Sequence, residues 1–180
     1  LSQYNAPVEL VYGAIKAMGF SEIIEVAQGA MVTTDKETEE FKERMENGEP
    51  FMTTSCCPSY IEMAEKHIPE LKKYISTTKS PMYYTAEIAK DMYPGAKLVF
   101  IGPCIAKRKE ALKHGNVDYV MTFEELNAAF EGMGIEIKED QTYTVSHVSS
   151  RDAHGFAQTG GVTAAVVAKA GEGFEFTSLK

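Results

Sequence analysis

Apolar positions recur along the chain at two different periods, and the switches between them lay out its elements. Behind Pro7, Val8, Val11, Ile15 and Met18 return every three or four residues until Gly19 ends the run, which predicts a short amphipathic helix. Residues 21–27 (SEIIEVA) are β-rich and read as a strand. Residues 29–47 are charged, with Phe41 and Met45 four apart on one helical face. Residues 51–54 read as a short strand, 58–68 and 80–92 as helices behind Pro58 and Pro81, and 97–101 (KLVFI) as an apolar strand. A helix over 106–112, a strand over 117–121 and a helix over 123–133 closed by Gly134 follow.

Strand and helix alternating in this way predict an α/β fold, a mainly parallel sheet flanked by helices on both faces. Residues 136–154 are polar, with 142–148 a strand candidate. Thr159, Gly160, Gly161 and Val162 then form a tight turn into an Ala-rich helix, of the kind that presents backbone N–H groups at a helix N-terminus. No internal repeat, low-complexity stretch or Pro/Gly/Ser-rich linker divides the chain.

Composition narrows the picture. The 180 residues suffice for one domain or one lobe, and 44% hydrophobic with 24% charged residues is a globular balance. No run of about 18 apolar residues is present, and residues 1–7 lack the basic start and apolar stretch of a signal peptide, so the expectation is a cytoplasmic protein with no membrane partner. The chain opens on Leu1, which reads as an excised or processed segment. A net charge of −8 without a basic cluster argues against nucleic acid. Three cysteines are too few for a disulfide framework and act as thiols.

Those thiols occupy two places of one design, strand then cysteine beside proline then helix. The first is Thr54-Ser55-Cys56-Cys57-Pro58 after the 51–54 strand, and the second is Gly102-Pro103-Cys104-Ile105-Ala106-Lys107 after KLVFI. Both sit at carboxyl ends of strands, where open α/β sheets bind ligands and a helix N-terminus favours thiolate. A lone cysteine is most often an inert core thiol. Two equivalent sites weigh against that and toward a soft metal such as iron or zinc, although an all-thiolate four-iron cluster needs four cysteines.

The segments Thr54 to Pro58 and Pro103 to Lys107 with Glu110 resemble the first and second signatures of the FeFe (iron-only) hydrogenase catalytic domain, in the right order. The likeness extends through Gly19-Phe20, Lys79-Ser80-Pro81, the 117–122 strand and Thr159-Gly160-Gly161-Val162. The resemblance implies an H-cluster, a 4Fe-4S cube joined through a cysteine to a two-iron unit, which interconverts protons plus electrons and hydrogen. It further implies that Cys57 and Cys104 bind the cube beside Pro103. By the same match, Cys56 passes protons without binding metal, and Lys107 hydrogen-bonds an iron-bound cyanide. Alignment of the 41–44 segment places Glu37, Glu40 and Ser76 on the proton route beyond Cys56.

Each role has a plainer alternative. Lys107 is one of three bases in a row, as on a solvated helix face, and Glu37 and Glu40 sit in an acidic stretch most of which must face water. The third signature and the first strand of the catalytic domain are not found, so the expectation for residues 1–180 is a partial catalytic domain, one lobe of two, inactive alone. It would need the rest of the domain and an electron carrier such as ferredoxin, reached through accessory clusters. Gly102 stands where catalytic members have Met and Met82 where they have Gln, which resembles the sensory branch. The alternatives are a hydrogen- or redox-sensing regulator and an iron-sulfur scaffold without the two-iron unit.

Overall fold

The computed structural model describes residues 2–146, 151–156, 158, 160–171 and 173–174. Its elements are helices α1 (Val8–Ala17), α2 (Ala27–Glu46), α3 (Pro58–His67) and α4 (Pro81–Met92), strand β1 (Val99–Ile101), helix α5 (Lys107–His114), strand β2 (Tyr119–Met121), and helices α6 (Phe123–Met133), α7 (Arg151–Gly155) and α8 (Gly161–Ala170). Short 3-10 turns lie at Ser2–Tyr4 and Pro69–Tyr74.

The fold is α/β, with a small parallel sheet. β1 pairs with β2 in the register Val99 to Tyr119, Phe100 to Val120 and Ile101 to Met121. Alternation along the strands sends Ile101 and Met121 against α1 and α6, where Val11, Ala14, Ile15, Leu126 and Phe130 are buried. Phe100 and Val120 pack on the other side against Met82 and Ala86 of α4 and Ala111 of α5. Both faces of the sheet are covered, as the strand–helix alternation predicts.

Helix ends follow their local signals. Pro58 opens α3, Ser80 caps α4 by accepting from the Tyr83 N–H, and Thr122 with Glu125 forms a capping box on α6. Gly134 in the left-handed region ends α6.

The strands are fewer than the pattern predicts. Residues 21–27 form no strand: the chain runs irregularly until α2 begins at Ala27, and Ile23 packs against the α1–α6 core. β propensity produces a strand only where a neighbour completes the ladder, and none lies beside this stretch among the described residues. The N-terminal end of α2 is instead drawn against α4. The Gly29 N–H donates to Thr85 Oγ1 at 3.1 Å, and a Cβ at position 29 would stand 2.1 Å from the Pro81 carbonyl oxygen. Only glycine lets the two helices approach this closely.

The 51–54 strand reduces to a parallel bridge between Thr53 and Ile75, made by the Thr53 N–H to Tyr74 O and the Ser76 N–H to Thr53 O, both 2.8 Å. Residues 142–146 are irregular and lie along α1, the Tyr143 N–H donating to Glu9 O at 3.0 Å; residues 147–148 of that strand candidate lie outside the described residues. Of the glycine turn, Thr159 lies outside them too, while Gly160 takes the left-handed conformation and caps α8.

Candidate functional site

The Thr53–Ile75 bridge and β1 deliver the two cysteine loops. Cys57 is the N-cap residue of α3, exposed, with Pro58 fixing the first helical position. Cys104 lies between β1 and α5 and is partly buried, with Pro103 exposed before it. The loops adjoin: Lys107 Nζ donates to the Cys56 carbonyl oxygen at 3.2 Å, and Lys109 of α5 pairs with Glu62 of α3. All three thiols are free.

The run of three bases divides by burial. Arg108 and Lys109 form surface ion pairs with Glu125 and Glu62. Lys107 turns inward, its side chain 12% exposed, and pairs with Glu110 Oε2 at 2.6 Å. The solvated-face reading therefore holds for its neighbours and fails for Lys107.

The acidic stretch divides in the same way. Glu37 is fully buried on α2, while Asp35 and Glu39 face solvent. Glu37 accepts from the Ser55 N–H at 3.0 Å, and its Oε2 has no hydrogen-bond partner. Burial, opposed by Ser55 and reinforced by the charge of Glu40, pushes its carboxyl up to about 7. Burial and the charge of Glu37 push the Cys56 thiol up to about 12, against the pull of Lys107. Cys56 is thus a thiol at neutral pH, flanked by a carboxyl that titrates there.

Glu40, one turn on, has the opposite surroundings. Burial alone would raise it, but donors from Ser76, Thr77, Arg44 and Thr78 together hold it below the usual carboxylate range. Ser76, itself buried, donates to Glu40 Oε2 at 2.7 Å, and Arg44 pairs with Oε1 at 2.7 Å. α2 therefore carries a carboxyl of raised affinity for protons beside the thiol and an ionised one nearer the surface.

Sequence reasoning did not assign Arg44, Ser55 or Ser80 to the site. Arg44 was readable as an i, i+4 partner of Glu40. Ser55 holds Glu37 through its backbone N–H, which leaves no mark in the sequence, while its hydroxyl donates to the Thr78 carbonyl. Ser80 reads as a helix cap, yet its hydroxyl also donates to Glu110 Oε1. Among the described residues, no group of three or more His, Cys, Asp or Glu is arranged to hold a metal ion. Cys57 and Cys104 fit as part of a thiolate set, being unpaired thiols on adjoining loops.

One cysteine loop at the carboxyl end of β1, a second beside the Thr53–Ile75 bridge and an inward lysine joining them define the class as an α/β domain with two adjoining thiol loops. Residues 1–179 match the family described as iron only hydrogenase large subunit, C-terminal domain, and the chain belongs to that family. It is 36% identical over 132 residues to iron hydrogenase 1 of Clostridium pasteurianum, covering 64% of this chain and 23% of that protein. It is 30% identical over 184 residues to the NADP-reducing hydrogenase subunit HndD of Solidesulfovibrio fructosivorans, covering 88% of this chain and 32% of that one. A cytosolic Fe-S cluster assembly factor, NAR1 of Kluyveromyces lactis, is 28% identical over 127 residues, 69% of this chain and 26% of its own.

The solved structure of a cysteine-to-histidine variant of apo FeFe hydrogenase HydA1 from Chlamydomonas reinhardtii superposes with a TM-score of 0.77 at 29% identity, over 96% of this chain and 48% of that one. The chain thus spans about half of that structure and a third or less of these curated relatives. No described helix is long and apolar enough to cross a membrane.

Proposed function

We propose that the chain is part of an FeFe hydrogenase and supplies one wall of the site at which protons and electrons are interconverted with hydrogen. The observation that carries this reading is the buried Glu37, whose Oε2 lacks any partner while its Oε1 is pinned by Ser55. An orphaned carboxyl oxygen at full burial is costly, and a proton route between Cys56 and Glu40 explains its retention. The H-cluster, when bound, supplies the redox and hydrogen-forming chemistry. Cys57 and Cys104 would hold its cube beside Pro103, and Lys107 would face its anionic ligands.

The chain's own work is proton transfer. When Cys56 gives up its proton, the thiolate is strongly basic and draws one from Glu37, which is much the stronger acid. Glu37 is recharged from the side of Glu40 and Ser76, whose hydrogen bond marks the outward continuation. Electrons would arrive from a ferredoxin-type carrier through clusters elsewhere in the protein.

A second reading, a slow hydrogen- or redox-sensing relative, is favoured by Gly102. A Cβ there would stand 2.7 Å from ring carbons of Phe100, so that ring occupies space a larger residue would need. An iron-sulfur scaffold comes third. Full-length protein matured with the H-cluster decides among them. Hydrogen evolution from reduced viologen with cyanide infrared bands supports the enzyme, bands with little turnover support the sensor, and a cube without bands supports the scaffold.

A further inference from the structure

Lys107 has three N–H donors, and two are already committed. One goes to the Cys56 carbonyl at 3.2 Å and one to Glu110 Oε2 at 2.6 Å, in a pair whose side chains are 12% and 9% exposed. Glu110 is not free to follow the ammonium, because its other oxygen accepts from Ser80 Oγ. Ser80 is buried and fixed in turn, since the same oxygen caps α4 by accepting from the Tyr83 N–H at 3.4 Å. A hydroxyl has one proton to give and two lone pairs, so both tasks are compatible. The chain Ser80, Glu110, Lys107, Cys56 joins the start of α4, the first turn of α5 and the first cysteine loop.

A tetrahedral ammonium with two fixed acceptors has one N–H left, and its direction follows from the other two. We infer that Glu110, oriented by Ser80, is the positioning residue that aims the remaining N–H of Lys107 at the anionic ligand of the site. The inference rests on the hydrogenase reading for the identity of that ligand, while the clamp itself is a property of this chain. Lysine on its own suits such a task poorly, because its four-carbon stem has many rotamers and the ammonium is a point charge without preferred direction. Glu110 also neutralises the cation within a part-buried site, so the ligand meets an oriented dipole in place of a bare charge.

The test uses full-length protein labelled with 15N-lysine, in which an ammonium held by hydrogen bonds exchanges slowly enough with water to give an NMR signal. Loss of that signal in Lys107→Ala assigns it. Ser80→Ala and Glu110→Ala should each speed its exchange by about ten-fold or more, the size expected for losing a hydrogen bond to a charged group. Ser80→Thr, which restores the hydroxyl, should return the wild-type rate. Unchanged exchange in Ser80→Ala, or equal loss in Ser80→Thr and Ser80→Ala, would overturn the clamp, and Ser80→Ala keeps the test open if Glu110→Ala fails to fold. In protein loaded with the cluster, Glu110→Ala should move the cyanide infrared bands in the same direction as Lys107→Ala; unmoved bands would overturn the aiming role. Absence of cyanide bands in the wild type would instead refute the hydrogenase reading, and with it the identity of the ligand, while the exchange rates still decide the clamp.

Discussion

The backbone N–H of Ser55 donates to Glu37 Oε1 at 3.0 Å, tying the residue before the cysteine pair to a carboxyl with no exposure to water. This contact makes α2 and the first cysteine loop one unit, and the burial of Glu37, which the contact opposes only in part, gives the protein a pH dependence that a surface glutamate would not. The carboxyl has an ordinary value of 4.5 and is raised to about 7 in the fold, so its contribution to stability is fully present below the first value and lost as pH rises through the second. The span corresponds to roughly 3 kcal/mol. Glu37→Gln should flatten the urea-denaturation stability curve between about pH 5 and 8 relative to wild type. Parallel curves for the two proteins would show that Glu37 does not titrate there.

Cys57 should be labelled by iodoacetamide well before Cys56 in metal-free full-length protein at neutral pH. Cys57 is exposed at a helix N-terminus, whereas burial and the charge of Glu37 push Cys56 up to about 12 and leave almost no thiolate. Peptide mass spectrometry over time reads the order, and similar rates at the two positions would contradict it.

In protein carrying the cluster, Cys56→Ser should leave the iron content and the cube's spectrum intact while slowing turnover by on the order of a hundred-fold or more, as for loss of a proton-transferring group. Cys57→Ser should lower the iron content itself. Equal loss of iron in the two variants would remove the division of labour between neighbouring thiols.

Residues 1–180 produced alone carry three cysteines, fewer than the four thiolates of an all-cysteine cube. The segment should fold around its two apolar clusters and bind no stoichiometric four-iron cluster. A stable brown preparation with four irons per chain would mean that another ligand, or a second copy, completes the set.

Gly29→Ala should destabilise the protein by on the order of 2–3 kcal/mol, because the added methyl meets the Pro81 carbonyl and Thr85 on the facing helix. A shift in urea midpoint at constant m-value measures it. A neutral result would show that α2 and α4 can slide apart without cost.

The parts legible in sequence were those written in a few consecutive residues. Pro58, Pro81 and Gly134 mark helix ends within one turn, and the structure keeps them. KLVFI announces a strand because the four residues after Lys97 are apolar whichever face they meet, and β1 is partly buried along its length. The 21–27 strand misled for the converse reason, since a ladder needs a neighbour and local propensity says nothing about where one lies. The proline–cysteine junctions placed both thiol loops at the start of helices, but their adjacency rests on contacts between residues about 50 apart in the chain, such as Lys107 with Cys56.

By itself, then, the sequence determined the α/β class, the ends of several helices and which residues could do chemistry, because periodicity, proline and glycine punctuation and thiols are local properties. Only the tertiary structure decided which of several chemically identical residues are buried. Glu37 and Glu39 are both glutamates of one helix, and Lys107 and Lys109 are both lysines of another. Packing buries Glu37 under Ser55 and turns Lys107 toward Glu110 and Cys56, while Glu39 and Lys109 stay in water. Burial changes what a charge costs and therefore what it can do, and burial is set by neighbours distant in sequence.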